Sequence, residues 1–68
     1  MEVFQNRLRE CRKKMKKSQQ EIASAIGVNY RMYRRYECGE SDPTIEPLVK
    51  LADYFNVSLD YLAGRVDE

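Results

Sequence analysis

The segment from Ser18 to Gly39 constrains the fold of this chain more than any other stretch. Ser18 and Glu21 have the S-x-x-E spacing of a capping box, in which each side chain bonds a backbone N–H at a helix start. Gly27 follows an apolar run and suits the left-handed residue that commonly ends a helix. Asn29, two residues later, is a favourable N-cap for a second helix. The segment therefore predicts two short helices joined by a tight turn and crossing steeply.

The second of these helices separates its aromatic residues from its charges. At about 100° per residue, Tyr33 and Tyr36 point to one side, and Arg31, Arg34 and Arg35 point to the other. Arginine can bond guanine O6 and N7 bidentately in the major groove, or it can neutralise phosphates. A single surface arginine is usually just solvated, but three within five residues favour a nucleic-acid surface.

The charge of the chain is divided unequally between its two halves. The net charge is only +1. Residues 1–39 hold ten Lys or Arg and four Asp or Glu, whereas residues 40–68 hold two and seven, giving +6 and −5. This asymmetry predicts one basic working surface and an acidic part turned away from the nucleic acid.

Apolar spacing predicts the remaining helices. Phe4, Leu8, Cys11 and Met15 recur every three or four residues, which indicates a first helix whose stripe faces the core. Similar periodicity and end signals predict an all-α domain of five helices over 1–68, at roughly 3–15, 19–26, 30–37, 45–55 and 59–63.

Two further end signals lie in the second half of the chain. Thr44 precedes the fourth helix, whose periodic apolar residues begin at Ile45, and is its expected cap. Residues 65–68 follow Gly64, the stop of the fifth helix, and are expected to form a frayed tail.

Several classes of protein are excluded by composition. The chain has no His and no CxxC pair, so we expect no metal site, no catalytic residues and no cofactor, and the protein is not expected to be an enzyme. No apolar run approaches the ~18 residues of a membrane span. The first ten residues lack the apolar region of a signal peptide, so we expect a cytoplasmic protein without membrane contact.

The two cysteines leave one alternative open. Reduced thiols are the default in a cytosolic chain. Cys38 follows Glu37, however, and Cys11 precedes Arg12. If Arg12 and Glu37 pair, the two thiols would lie near each other, and a redox-sensing pair is the alternative.

The chain resembles the DNA-binding domain of the Xre/Cro–repressor helix-turn-helix family over roughly residues 8–64. The matching pattern is SQQEIA at 18–23, GV at 27–28, YE-x-G at 36–39, Pro43, L-x-x-LA at 48–52 and VSLD-x-L at 57–62. The resemblance implies a compact lambda-repressor-like fold that binds double-stranded DNA, commonly as a homodimer.

The resemblance also implies roles for individual residues. Base edges would be read by three residues of the third helix: Tyr30, Arg31 and Arg35. Phosphates would be contacted by Gln19, and the DNA backbone would lie near Met32, Arg34 and Cys38. Glu37 would pair with Arg12 in a structural role.

Four lysines precede the second helix, whose free N–H groups favour anions: Lys13, Lys14, Lys16 and Lys17. Each of them is a candidate phosphate contact, with a merely solvated position as the alternative.

Three positions depart from the family pattern. Tyr33 stands where the family usually has Val or Ile, so the core must hold a larger ring. Lys17 replaces a usual Leu. Glu40, Ser41 and Asp42 replace a basic loop that lies near phosphates, which argues against tight non-specific phosphate binding.

The sequence thus predicts a transcriptional regulator, in particular a repressor, that reads a palindromic operator as a dimer through its third helix. Leu59 on the short fifth helix is the candidate dimer contact. The alternative is a protein-interaction module on the same fold, such as an antitoxin or an anti-repressor. Glu40, Asp42 and exposed tyrosines motivate this alternative, because tyrosines suit protein interfaces.

Overall fold

Five α-helices form the regular structure of residues 2–67, the part of the chain that the computed structural model describes. They are α1 (Glu2–Lys14), α2 (Gln19–Ile26), α3 (Tyr30–Cys38), α4 (Ile45–Phe55) and α5 (Leu59–Ala63). No strand occurs among these residues, and the all-α prediction is confirmed.

Three of the helices begin at a side-chain cap that bonds the third amide of the helix. Ser18 accepts from the amide of Glu21 at 3.0 Å, and the Glu21 carboxylate accepts from the Ser18 amide at 2.8 Å, which completes the capping box. Asn29 and Ser58 cap α3 and α5 in the same way. These bonds satisfy amides that have no partner within the helix.

Thr44 is the N-cap residue of α4, as predicted, and has the extended backbone of that position. Its side chain, however, makes no hydrogen bond to the helix end. The third residue of α4 is Pro47, which has no N–H to donate. The bond used by the other three caps is therefore impossible here.

The first helix ends one residue before its predicted end. Lys16 adopts a left-handed backbone with φ of 57°, so the chain turns away immediately after Lys14. Met15, placed in the core stripe by its spacing, is instead 41% exposed. Ile45, at the exposed start of α4, is likewise outside the core.

The core lies where all five helices meet. Ala23 is fully buried, and its small side chain allows α3 to cross close to α2. Tyr33 is also fully buried, so the core does accommodate the larger ring. The buried apolar residues are Phe4, Leu8, Ile22, Ala23, Ile26, Tyr33, Tyr36, Leu51, Ala52 and Leu62.

The residues after α5 are held against α1, so the prediction of a frayed tail is wrong for 65–67. The Arg7 guanidinium donates to the carbonyls of Tyr61 and Val66, both at 2.5 Å. The amide of Arg65 also bonds the carbonyl of Asp60 at 2.8 Å. Glu68, the last residue of the predicted tail, lies outside the described residues.

Across residues 2–67, none of the helices combines the length and the apolar character needed to cross a bilayer.

Candidate nucleic-acid interface

The outward side of α3 carries an arginine face formed by Arg31, Arg34 and Arg35. All three side chains are exposed, and together with Cys38 and Glu40 they line one shallow depression. The tyrosines on the opposite side of the helix, Tyr33 and Tyr36, are buried. The helix is thus anchored through its aromatic side while its guanidinium groups remain available to a ligand.

A buried ion pair fixes α3 against α1. The Arg12 guanidinium donates to the Glu37 carboxylate through Nε at 2.7 Å and through Nη2 at 3.0 Å. The Glu37 residue is only 3% exposed. Bidentate geometry of this kind holds two charged groups in one orientation, so this pair, which the resemblance implies, can set the angle of α3.

Two further groups complete the hydrogen bonding of Glu37. The Tyr33 hydroxyl donates to Oε2 at 2.5 Å, and the Gln19 side-chain amide donates to Oε1 at 3.1 Å. Arg9 adds a bond from its guanidinium to the backbone carbonyl of Glu37 at 3.0 Å. All the buried side-chain nitrogen and oxygen atoms in the described residues have a partner.

This environment shifts the pKa of both acidic groups in the cluster. Burial acts to raise the pKa of Glu37, but the hydrogen bonds from Arg12, Tyr33 and Gln19 outweigh it, and the carboxyl pKa is lowered. Burial, reinforced by the hydrogen bond to the Glu37 carboxylate, strongly raises the pKa of the Tyr33 hydroxyl. Glu37 is therefore charged and Tyr33 neutral at neutral pH.

A chain of contacts leads from this cluster to the arginine face. The Gln19 side-chain oxygen accepts from the Tyr30 hydroxyl at 3.5 Å. The Arg34 guanidinium in turn lies over the Tyr30 ring, 5.7 Å from its centre. Gln19 thus contacts the first residue of α3, and it lines a separate depression with Tyr30 at the start of α2.

The other predicted backbone contacts occupy different environments. Met32 is half-buried against the core, and its backbone amide is used by the Asn29 cap at 2.7 Å. Cys38 is exposed beside the arginines. Met32 therefore contributes mainly to packing, whereas Cys38 borders the arginine face.

The four lysines are not equivalent. Lys13 and Lys16 are exposed, and the Lys17 ammonium lies 3.9 Å from the Glu21 carboxylate. Lys14 lines a separate groove with Phe55 and Tyr61. None of the four lysines lines the depression beside Gln19 and Tyr30.

Cys11 and Cys38 are both free thiols. Cys11 is half-buried in the groove that includes Phe55 and Tyr61, whereas Cys38 lies on the arginine face. Although Arg12 and Glu37 do pair, the thiols line separate depressions, and the structure gives no support to a redox pair within one chain.

Leu59, the predicted dimer contact, is half-buried and packs against the core. Part of its side chain remains accessible, so a role in a dimer stays a prediction. Within residues 2–67, no group of three or more His, Cys, Asp or Glu side chains is arranged to hold a metal ion.

Two contacts that the sequence did not predict also shape this surface. Arg9 bonds the end of α3, and Glu40 lies beside Arg35, with 3.9 Å between Oε2 and Nε. Arg9 lies three residues before Arg12 on the same helical face, a spacing that indicates a shared partner helix. No spacing in the sequence marked the contact between Glu40 and Arg35.

Comparison with known proteins places this geometry in a family. A family model described as Helix-turn-helix matches residues 8–62. The cryptic phage CTXphi transcriptional repressor RstR of Vibrio cholerae is 44% identical over 62 residues, which cover 91% of this chain and 55% of RstR. The uncharacterized HTH-type transcriptional regulator YqaE of Bacillus subtilis is 37% identical over 60 residues, covering 88% of this chain and 52% of YqaE. The chain spans about half the length of these curated relatives.

Solved structures show the same fold. The P22 c2 repressor, crystallised in complex with synthetic operator 9T, superposes with a TM-score of 0.84 at 32% identity, covering 88% of this chain and 91% of that chain. A transcriptional regulator from Listeria innocua gives a TM-score of 0.86 at 37% identity, covering 96% of this chain and 61% of that chain. These relatives are regulators rather than enzymes, and the chain belongs to the Xre/Cro–repressor type of helix-turn-helix family.

Proposed function

We propose that this chain is a sequence-specific DNA-binding transcriptional regulator, acting in the cytoplasm as a repressor. The observation that most supports this proposal is the arginine face of α3. The helix exposes this face and is anchored on its other side by Tyr33, Tyr36 and Glu37. A rigid helix presenting three guanidinium groups can enter the major groove and direct them at base edges. The printed descriptions of RstR as a repressor and of the P22 c2 repressor with an operator support this proposal.

The residues divide into two roles in this proposal. Arg31 and Arg35 read base edges with Tyr30 beside them. Gln19, Arg34 and some of the four lysines before α2 hold phosphates. These contacts fix the register of the helix without specifying sequence. Two copies related by a twofold axis read a palindromic operator, with half-sites about 34 Å apart.

The test compares the binding of duplex DNA by matched charge-removing variants. Arg31→Ala should weaken binding to the preferred site by about 1–3 kcal/mol and relax the preference at one base. Lys50→Ala is the control, because it removes the same charge from α4, where Lys50 lies 3.4 Å from Glu46. Equal losses from the two variants, or a loss that is the same on every sequence, would contradict base reading by Arg31.

The second candidate is a protein-interaction module, such as an antitoxin or anti-repressor. It is favoured by Glu40 in the loop after α3 and by Tyr30, which is 41% exposed. Steep salt dependence of duplex binding supports the DNA-binding function. Weak, salt-insensitive DNA binding together with a tight protein partner supports the second candidate.

A further inference from the structure

The end of α3 is organised around the backbone of Arg35. Gly39 adopts a left-handed conformation with φ of 82°, and its amide bonds the carbonyl of Arg35. The next two amides, those of Glu40 and Ser41, bond the same carbonyl at 3.0 and 3.3 Å. This arrangement fixes the backbone of the loop, including that of Glu40, relative to Arg35.

The loop after α3 places the Glu40 carboxylate beside the side chain of Arg35. Oε2 of Glu40 lies 3.9 Å from Nε of Arg35, with the two side chains 68% and 48% exposed. Among the described residues, Arg35 is the one arginine of the arginine face that has a carboxylate partner. The contact is made at Nε, so the two terminal nitrogens of the guanidinium remain free.

A guanidinium with a carboxylate near its Nε edge is suited to reading guanine. The two terminal nitrogens form the fork that bonds guanine O6 and N7, and a carboxylate at the opposite edge restricts how that fork can turn. The same carboxylate repels DNA phosphates, which carry no sequence information. Repulsion weakens binding to every sequence alike, whereas restricting Arg35 restores affinity at the matched base alone.

We propose that Glu40 is a positioning residue for sequence recognition, whose charge attracts the Nε edge of the Arg35 guanidinium and so directs the terminal nitrogens to one guanine. This inference rests on the proposed DNA-binding function. The acidic loop would then contribute to DNA recognition. The Glu40 carboxylate lowers binding to unmatched sequences, and on the matched sequence it orients Arg35.

The experiment first finds the base that Arg35 reads. Wild-type protein and Arg35→Ala are each used to select sites from a randomised duplex pool, and the position whose preference disappears in the variant is assigned to Arg35. Binding is then measured on the selected site and on the three sites with that base replaced. The variants compared are Glu40→Gln and Asp60→Asn.

Asp60→Asn is the matched control. Asp60 and Arg65 form another exposed arginine–carboxylate pair at 3.7 Å, on α5, and this substitution makes the same change in net charge. Because both pairs are exposed, neither substitution should change the stability to urea appreciably. The readout is the discrimination at the Arg35 base, a quantity that a general loss of negative charge does not alter.

Glu40→Gln should bind the three replaced sites about two- to fivefold more tightly and the selected site no more tightly than the wild type. Discrimination at the Arg35 base falls accordingly, while preferences at other positions remain. In the Arg35→Ala background, Glu40→Gln should change binding to all four sites by the same factor and leave discrimination unaltered, since there is no guanidinium left to position.

An equal gain on every sequence would overturn the inference, because Glu40 would then act only as a repulsive charge. Unchanged discrimination at the Arg35 base would also overturn the inference about Glu40. The proposed DNA-binding function would still stand in that case, as long as the wild type selects a site. Absence of any selected site for the wild type would overturn both proposals.

Discussion

Arg12 and Glu37 join the first and third helices through two parallel hydrogen bonds, at 2.7 Å and 3.0 Å. Glu37 also accepts from Tyr33 within α3 and from Gln19 at the start of α2. One carboxylate thus links three helices, and this buried charge adds to the packing of Tyr33 and Tyr36 in orienting the proposed recognition helix.

Replacing Arg12 should destabilise the domain strongly. Arg12→Met leaves the Glu37 carboxylate buried without its counter-charge, and we expect a loss of about 3 kcal/mol in the free energy of unfolding. Urea denaturation at neutral pH measures this loss. Lys13→Met, an equal substitution at an exposed neighbour, is the control, and similar losses in both variants would show that the pair is unimportant.

The stabilisation from Glu37 should disappear in acid. Because the pKa of this carboxyl is lowered in the folded protein, the unfolded chain binds the proton more readily. The contribution is therefore fully present above the ordinary pKa of about 4.5 and is lost as pH falls through the lower folded value.

Denaturation from pH 7 down to pH 3 tests this dependence against Glu37→Gln. The difference in unfolding free energy between wild type and variant should shrink towards low pH. The hydrogen bonds with Ser18 also lower the pKa of Glu21, so only the difference from the Glu37 variant isolates this group. A constant difference across the range would contradict the assignment.

Tyr33→Phe should keep the packing of the core and lose one charged hydrogen bond. We expect a destabilisation of about 1.5–3 kcal/mol, because a buried carboxylate loses a donor. The pKa of Glu37 should also rise, which moves the acid transition to higher pH. Tyr36→Phe, at a buried ring without a hydrogen bond to Glu37, is the comparison, and an equal loss there would assign the effect to packing.

The four helix starts after α1 provide a matched test of capping. Ser18→Ala removes the bond to the Glu21 amide and should cost about 1 kcal/mol. Thr44→Ala should cost much less, because the Thr44 side chain makes no capping hydrogen bond. Urea unfolding of both variants measures the difference, and equal costs would mean that the capping bond of Ser18 contributes nothing.

The sequence predicted the parts of this fold that depend on neighbouring residues. The S-x-x-E spacing places a capping box at Ser18, and the period of α3 separates Tyr33 from Arg31, because both follow from helix geometry alone. The same reasoning failed at Met15, since periodicity does not show where a helix unwinds. It placed Thr44 correctly at the start of α4 but did not show that its side chain makes no capping bond, since Pro47 lacks the amide that the other three caps use.

Contacts between distant residues were the least predictable. Arg7 holds the segment after α5 across more than fifty residues of sequence, and no local pattern marks that contact. The Arg12–Glu37 pair came from the resemblance rather than from spacing. The proximity of Glu40 to Arg35 follows from the left-handed turn at Gly39, which determines where the loop returns.

Selection from a randomised duplex pool with the purified protein, at moderate salt, tests directly whether the arginine face reads DNA sequence. We expect an enriched inverted repeat whose half-sites are about ten base pairs apart, as for a dimer that places one α3 in each major groove. A pool that remains flat, whether binding is measurable or absent, would contradict sequence-specific recognition by the arginine face.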